Sequence, residues 1–137
     1  MPPPEGFHSI TPYLTVKNAP EAIAFYETAL GARERSRMTM PNGTIANAEI
    51  VIEGDAILIR EETTDMRGPN TLGGTPVMIH LYVDDVDAVS KRAIAAGMVV
   101  VLSVEDRPYG DRAGRVKDPY GHVWIISTRL GDIFKKP

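Results

Sequence analysis

Residues 10–16 read Ile-Thr-Pro-Tyr-Leu-Thr-Val (ITPYLTV), and a shortened form returns at residues 79–83 as Ile-His-Leu-Tyr-Val (IHLYV). Val16 and Val83 stand 67 positions apart, as do Leu14 and Leu81. The same offset separates Gly54 from Gly121, the turn glycines ahead of AILIR (56–60) and HVWII (122–126). A fixed offset marks two copies of one structural unit. A small unit of strands and one helix leaves one sheet face open, and doubling it lets two such faces meet around a cavity.

Working outward, Ile10, Leu14 and Val16 alternate with Thr11, Tyr13 and Thr15, the period of a strand with one buried face. Asn18, Pro20 and Glu21 open a helix whose apolar stripe is Ala22, Ile23, Phe25, Tyr26, Ala29 and Leu30, with Gly31 as its cap. Strands at about 35–40, 45–52 and 56–60 complete βαβββ. Glu61 to Pro76 holds three Gly, two Pro and four Thr without periodicity and reads as a linker. The second copy starts with a strand at 77–83. Asp84 or Asp85 then caps a helix carrying Val86, Val89, Ala93, Ile94 and Ala96 up to Gly97. Strands follow at about 99–104, 112–117 and 122–128. The expected fold is α+β, two tandem βαβββ modules forming a curved mixed-sheet cup within one domain spanning 1–137. Module one covers about 9–62, the linker 63–76 and module two 77–130, with residues 1–8 as a Pro-rich arm.

Composition removes several classes of function. The net charge of −3 and the scatter of 15 Lys and Arg argue against nucleic acid. With no cysteine there is no disulfide, thiolate metal site or cysteine nucleophile. The N-terminus has no signal-peptide pattern, and no apolar run reaches the ~18 residues a membrane span needs. The expectation is a soluble cytoplasmic protein with no membrane partner.

Parity sorts the strand residues into two faces. The apolar set Ile10, Leu14, Val16, Ala48, Ile50, Ile52, Ile57, Ile59, Ile79, Leu81, Val83, Trp124 and Ile126 should meet the helices. The other set, facing inward, contains Thr11, Tyr13, Thr15, Asn47, Glu49, Val51, Leu58, Arg60, Met78, His80, Tyr82, Val123, Ile125 and Ser127. Its mixture of polar and apolar groups suits a ligand cavity. A four-residue turn DPYG would pair Lys117 with His122, which places Arg112 inward and turns Arg115 away. Glu49 and His80 are then the candidate acid–base groups and Arg112 the anchor for a carboxylate, phosphate or carbonyl. The bland alternative is that His80 is structural and that each inward charge pairs across the cup, for example with Arg60. The loop 106–114, with Tyr109, has the make-up of a flap.

PYLTVKNAPEAIAFYETALGA, HLYVDDVDAVSKRAIAAG and YGDRAGRVKDPYGHVW together resemble the vicinal oxygen chelate superfamily, which includes glyoxalase I, bleomycin-resistance proteins and extradiol dioxygenases. The resemblance covers nearly the whole chain and is closest to the PhnB-like branch. Metal-dependent members carry His or Glu at four strand positions, which by this resemblance fall on Thr11, Leu58, Met78 and Ile125. That set offers no imidazole or carboxylate for Ni²⁺, Zn²⁺ or Fe²⁺, so no metal or other cofactor is expected. Sliding module two by two residues would bring His80 into a slot, with Glu49 as partner, and this leaves open a divalent metal at a shifted site. The resemblance also implies a homodimer.

Three readings follow. The first is a metal-free small-molecule-binding protein that sequesters a drug or metabolite through Thr11, Tyr13, Asn47, Glu49, Arg60, Met78, His80, Tyr82, Tyr109, Arg112 and Ile125. The second is a small-metabolite isomerase, lyase or hydrolase using Glu49 and His80, with or without a shifted metal. The third is a partner-binding protein whose cup is vestigial.

Overall fold

Asn18 sets the start of the first helix. Its side chain accepts a 3.5 Å hydrogen bond from the Glu21 amide, and Pro20 presets φ in the first turn. Both carboxylate oxygens of Glu61 accept from the same helix end, from the Asn18 and Ala19 amides at 2.8 and 2.9 Å. Helix α1 runs Ala19–Leu30 and ends at Gly31, whose positive φ of 68° lets its N–H return to the Tyr26 carbonyl.

The structure, a computed structural model, describes residues 1–131, and the chain divides after Gly74 into two units. In the first unit α1 packs on a four-stranded sheet of β1 (Tyr13–Val16), β2 (Arg33–Thr39), β3 (Ile45–Ile52) and β4 (Asp55–Glu61). Its order is β1-β4-β3-β2, with β1 parallel to β4 and the other pairs antiparallel. Leu14, Val16, Ala48, Ile50, Ile52, Ile57 and Ile59 are buried along with Ala22, Ile23, Tyr26 and Ala29 of the helix. Among the described residues α1 is the helix packed on this sheet, and the opposite face carries none.

Ile10 departs from expectation. It is 88% exposed, because the strand begins only at Tyr13. Pro12 has no N–H for a ladder, and the segment before it is instead held along β4: the Ala56 amide donates to the Gly6 carbonyl and the Leu58 amide to the Pro12 carbonyl. The linker also differs, since it contains a single helical turn, α2 (Pro69–Leu72).

The second unit repeats the plan. Strands β5 (Met78–Tyr82), β6 (Val99–Asp106), β7 (Asp111–Lys117) and β8 (Val123–Arg129) form a sheet of order β5-β8-β7-β6, with β5 parallel to β8. Helix α3 (Val86–Ala96) starts at Asp85, whose side chain accepts from the Ala88 amide at 3.1 Å. Trp124 is buried, as its parity implies, and its indole N–H donates to Asp118 Oδ2 at 2.9 Å.

One register error in the sequence reading matters for function. Lys117 faces Val123, not His122, because five residues rather than four connect β7 to β8. Asp118 organises the extra residue: its Oδ1 accepts from the amides of Tyr120 and His122. An odd-length connection inverts the faces of β7. Arg112 therefore lies opposite Thr128 and Gly114 opposite Ile126, on the helix side, whereas Ala113 and Arg115 share the face of Ser127 and Ile125. The expected flap is likewise a tight hairpin turn, closed by the Arg107 amide on the Asp111 carbonyl at 2.7 Å.

Candidate functional site

The helix-free face of module two gathers the densest polar chemistry. His80 and Tyr82 project from alternate positions of β5, and their rings stack at 4.5 Å with an interplanar angle of 20°. His80 Nε2 shares a 2.8 Å hydrogen bond with Ser127 Oγ, and the Tyr82 hydroxyl donates to Asp111 Oδ2 at 2.7 Å. Asp111 Oδ2 lies 3.9 Å from His80 Nε2, which links the two pairs. Asp111 and Ser127 are buried while Tyr82 is 51% exposed, so an inner polar layer lies under an outer aromatic one. The bond to Asp111, reinforced by desolvation, pushes the Tyr82 phenol above the ordinary tyrosine range. Met78 flanks the rings on β5, and Val123, Ile125, Ala113 and Arg115 complete the face by register.

The arrangement offers hydrogen bonding and stacking more readily than hydrolysis. Serine and aspartate approach the same imidazole nitrogen, whereas a Ser-His-Asp triad needs the carboxylate on the opposite one. Ser127 is also 0% exposed, out of reach of a substrate carbonyl.

Module one presents a different surface. Glu49 does lie on the helix-free face, opposite Leu58, but Arg35 holds it through Nε and Nη2 at 2.9 and 2.8 Å. Arg35 is the extra residue of a β-bulge between Glu34 and Ser36, and its guanidinium also lies 5.6 Å from the centre of the Phe7 ring. Glu49 is paired, but with Arg35 on the neighbouring strand of its own sheet and not with Arg60 across a cup. Tyr13 is exposed on β1, and Thr11 precedes that strand with its hydroxyl donating to the His8 carbonyl at 3.2 Å. Asn47 Oδ1 is buried without a hydrogen-bond partner.

Of the residues expected at a site, the structure brings His80, Tyr82, Met78 and Ile125 onto one face of module two. Thr11, Tyr13, Asn47, Glu49 and Arg60 belong to module one. Tyr109 sits in the β6–β7 turn, two residues before Asp111. Arg112 leaves the set. It forms a bidentate pair with Asp87 of α3 at 2.9 and 3.0 Å and a bond to Asp106 at 3.1 Å, which raises its already high pKa and lowers that of Asp87. Sequence reasoning missed Asp111 and Arg115. The signal was the capping aspartate of D-P-Y-G-H: an Asp that bonds amides two and four residues on makes a five-residue connection.

The sequence profile of the glyoxalase/bleomycin resistance protein/dioxygenase superfamily matches residues 6–126. The chain belongs to this superfamily. An uncharacterised Mycobacterium bovis protein, Mb0911c, is 40% identical over 130 residues, covering 91% of this superfamily member and 86% of the relative. TioX from Micromonospora sp. ML1 superimposes with a TM-score of 0.69 at 25% identity, over 90% of this chain and 99% of that one. TnmS3 from Streptomyces sp. CB03234, described as an antibiotic binding protein, gives a TM-score of 0.65 at 20% identity, over 89% and 97% of the two chains.

Metal-dependent members of the glyoxalase superfamily raise the question of a divalent ion, and the residues here do not fit one. Leu58 and Ile125 have no donor atom, and Thr11 and Met78 are not ligands such ions select. Among the described residues no three His, Asp or Glu side chains cluster as a ligand set. Shifting module two by two residues substitutes His80 for Met78, but Glu49, the partner that shift would need, is already bound by Arg35.

Proposed function

We propose that this superfamily member binds a small organic molecule on the helix-free face of module two, without a metal, and sequesters it. The observation that carries the reading is the layered network of His80, Tyr82, Asp111 and Ser127: exposed stacked rings over buried hydrogen-bonding groups. A planar ligand gains stacking on Tyr82 and His80, and Met78 adapts to an irregular edge. Asp111, buried beneath, holds the Tyr82 hydroxyl in place by accepting its hydrogen bond. Arg115, which has no ion-pair partner among the described residues, takes the anchoring role that the sequence had given to Arg112. The likeness of the fold to an antibiotic-binding protein supports a drug or drug-like metabolite as ligand. We place the chain beside the PhnB-like and bleomycin-resistance-like members and expect it to act as a homodimer. Acid–base catalysis by Glu49 and His80 is the weaker reading, because each is already engaged inside its own module.

The test is a thermal-shift screen of planar antibiotics and aromatic metabolites, run with divalent metals and again with a chelator, with NMR of the small molecules to detect products. Sequestration predicts a concentration-dependent rise in melting temperature that survives chelation and leaves the ligand unchanged. Product formation, or no stabilisation by any compound, contradicts it.

A further inference from the structure

Module one contains a cavity that takes no part in the binding proposed for module two. It opens beside the β2–β3 turn with a volume of about 340 Å³ and is lined by Met40, Thr44, Ala46, Arg60, Glu62 and Thr63, among others. Small-molecule sites occupy roughly 300–1,000 Å³. A bulge shapes its wall: Met38 faces Asn47 while Thr39 faces Ile45, which leaves Ala46 as the extra residue of β3.

The charges around this cavity are unequal in availability. Glu61 is occupied by the two amides at the start of α1, at 2.8 and 2.9 Å. Glu62 accepts from the Thr71 side chain and from the Gly68 amide at 2.7 Å, which hold it below the usual carboxylate range. Arg60 is different. Among the described residues its side chain makes one hydrogen bond, a long 3.5 Å contact from Nε to the Glu61 carbonyl, and no ion pair. A half-buried guanidinium whose two Nη groups have no hydrogen-bond acceptor among the described residues has the donors to receive a carboxylate or phosphate. Met40, Ile45 and Ala46 add apolar surface beside it.

We propose that this pocket binds a small amphipathic oxyanion, with a carboxylate or phosphate head on Arg60 and a short apolar tail along Met40 and Ala46. The site stands independently of the module-two reading. Glu61 and Glu62 keep their charge but are turned to their own donors, and Arg60 is the cation on this wall that an anion can meet.

The experiment is an NMR titration of the full-length ¹⁵N-labelled protein with butyrate, butyl phosphate, butylammonium and butan-1-ol. We expect saturable shifts of the Ala46 and Thr63 amides and of the Arg60 Nε–H with butyrate, butyl phosphate or both. Which of the two responds identifies the head group. Arg60→Gln should weaken that binding about tenfold or more, given the strength of charge-assisted hydrogen bonds. Arg60→Lys should weaken it less and serves if the glutamine variant does not fold. His80→Ala should leave it unchanged, which separates this site from the one in module two. The proposal is overturned by an absence of saturable shifts, by an equal response to butylammonium or butan-1-ol, or by wild-type affinity in both Arg60 variants.

Discussion

Tyr82 shows how one contact sets both chemistry and pH response. Asp111 accepts its hydrogen bond at 2.7 Å and raises the phenol pKa above 10.0, its ordinary value. The folded chain therefore keeps a proton that the unfolded chain releases near pH 10, and the resulting stability is complete below that pH and lost as pH rises through the folded value. Tyr82→Phe should flatten the alkaline part of a stability–pH curve measured by urea unfolding; an unchanged slope above pH 10 would show that the bond does not form in solution. Trp124 makes a parallel point in the core. Trp124→Phe removes one donor from the buried Asp118 carboxylate and opens a small void, so the cost should be about 1–3 kcal/mol. Trp124 was legible as core from strand parity. Its bond to Asp118 was not, because parity gives the direction of a side chain and not the identity of its polar neighbour.

At the level of elements, helix starts were the most readable features, since Asn18 and Asp85 act through local bonds to residues three positions on. Registers were less readable. Asp118 turns DPYGH into a five-residue connection, and one residue moved Arg112 from a presumed ligand face to the helix side. Arg112 now ties β7 to α3 and β6 through Asp87 and Asp106, so Arg112→Met should lower the melting temperature modestly without affecting ligand binding. Because Arg112 lowers the Asp87 pKa, that stabilisation is present above the ordinary aspartate range and disappears as pH falls through the depressed value. Wild type and Arg112→Met should therefore converge in stability in acid. The bulged edge of module two carries a second prediction. A methyl group on Gly114 would lie 2.8 Å from Val104 Cγ2 and 3.0 Å from the Leu102 carbonyl oxygen. Gly114→Ala should accordingly cost about 1–3 kcal/mol by overpacking, measured by urea denaturation, whereas a neutral result would mean that β6 yields easily.

For the molecule as a whole, the repeat of residues 10–16 at 79–83 carried the architecture, and the two sheets have the same order, 1-4-3-2 within each module. Repetition fixes backbone plan because the same pattern solves the same burial problem twice. It does not fix chemistry, since the helix-free faces are under no shared packing demand. Module one fills its face with an Arg35–Glu49 pair, while module two carries the His80–Tyr82 stack over Asp111 and Ser127. His80 and Tyr82 were visible in the sequence as polar residues at inward parity. Asp111, Arg115 and the partner of Glu49 depended on a turn and a bulge that no periodicity reports. Among the described residues no helix is long and apolar enough to cross a membrane.

Ligand binding on the His80–Tyr82 face of module two should be visible at the histidines themselves. The chain has three histidines, at 8, 80 and 122, so their imidazole resonances can be assigned with single substitutions. The most direct test follows these signals while a compound that stabilises the protein is titrated in, with Tyr82→Ala as the comparison. Binding on this face should give a saturable ring-current shift confined to His80 and a large loss of affinity in Tyr82→Ala. A ligand that binds with the His80 signal unmoved, and with equal affinity for Tyr82→Ala, would contradict it.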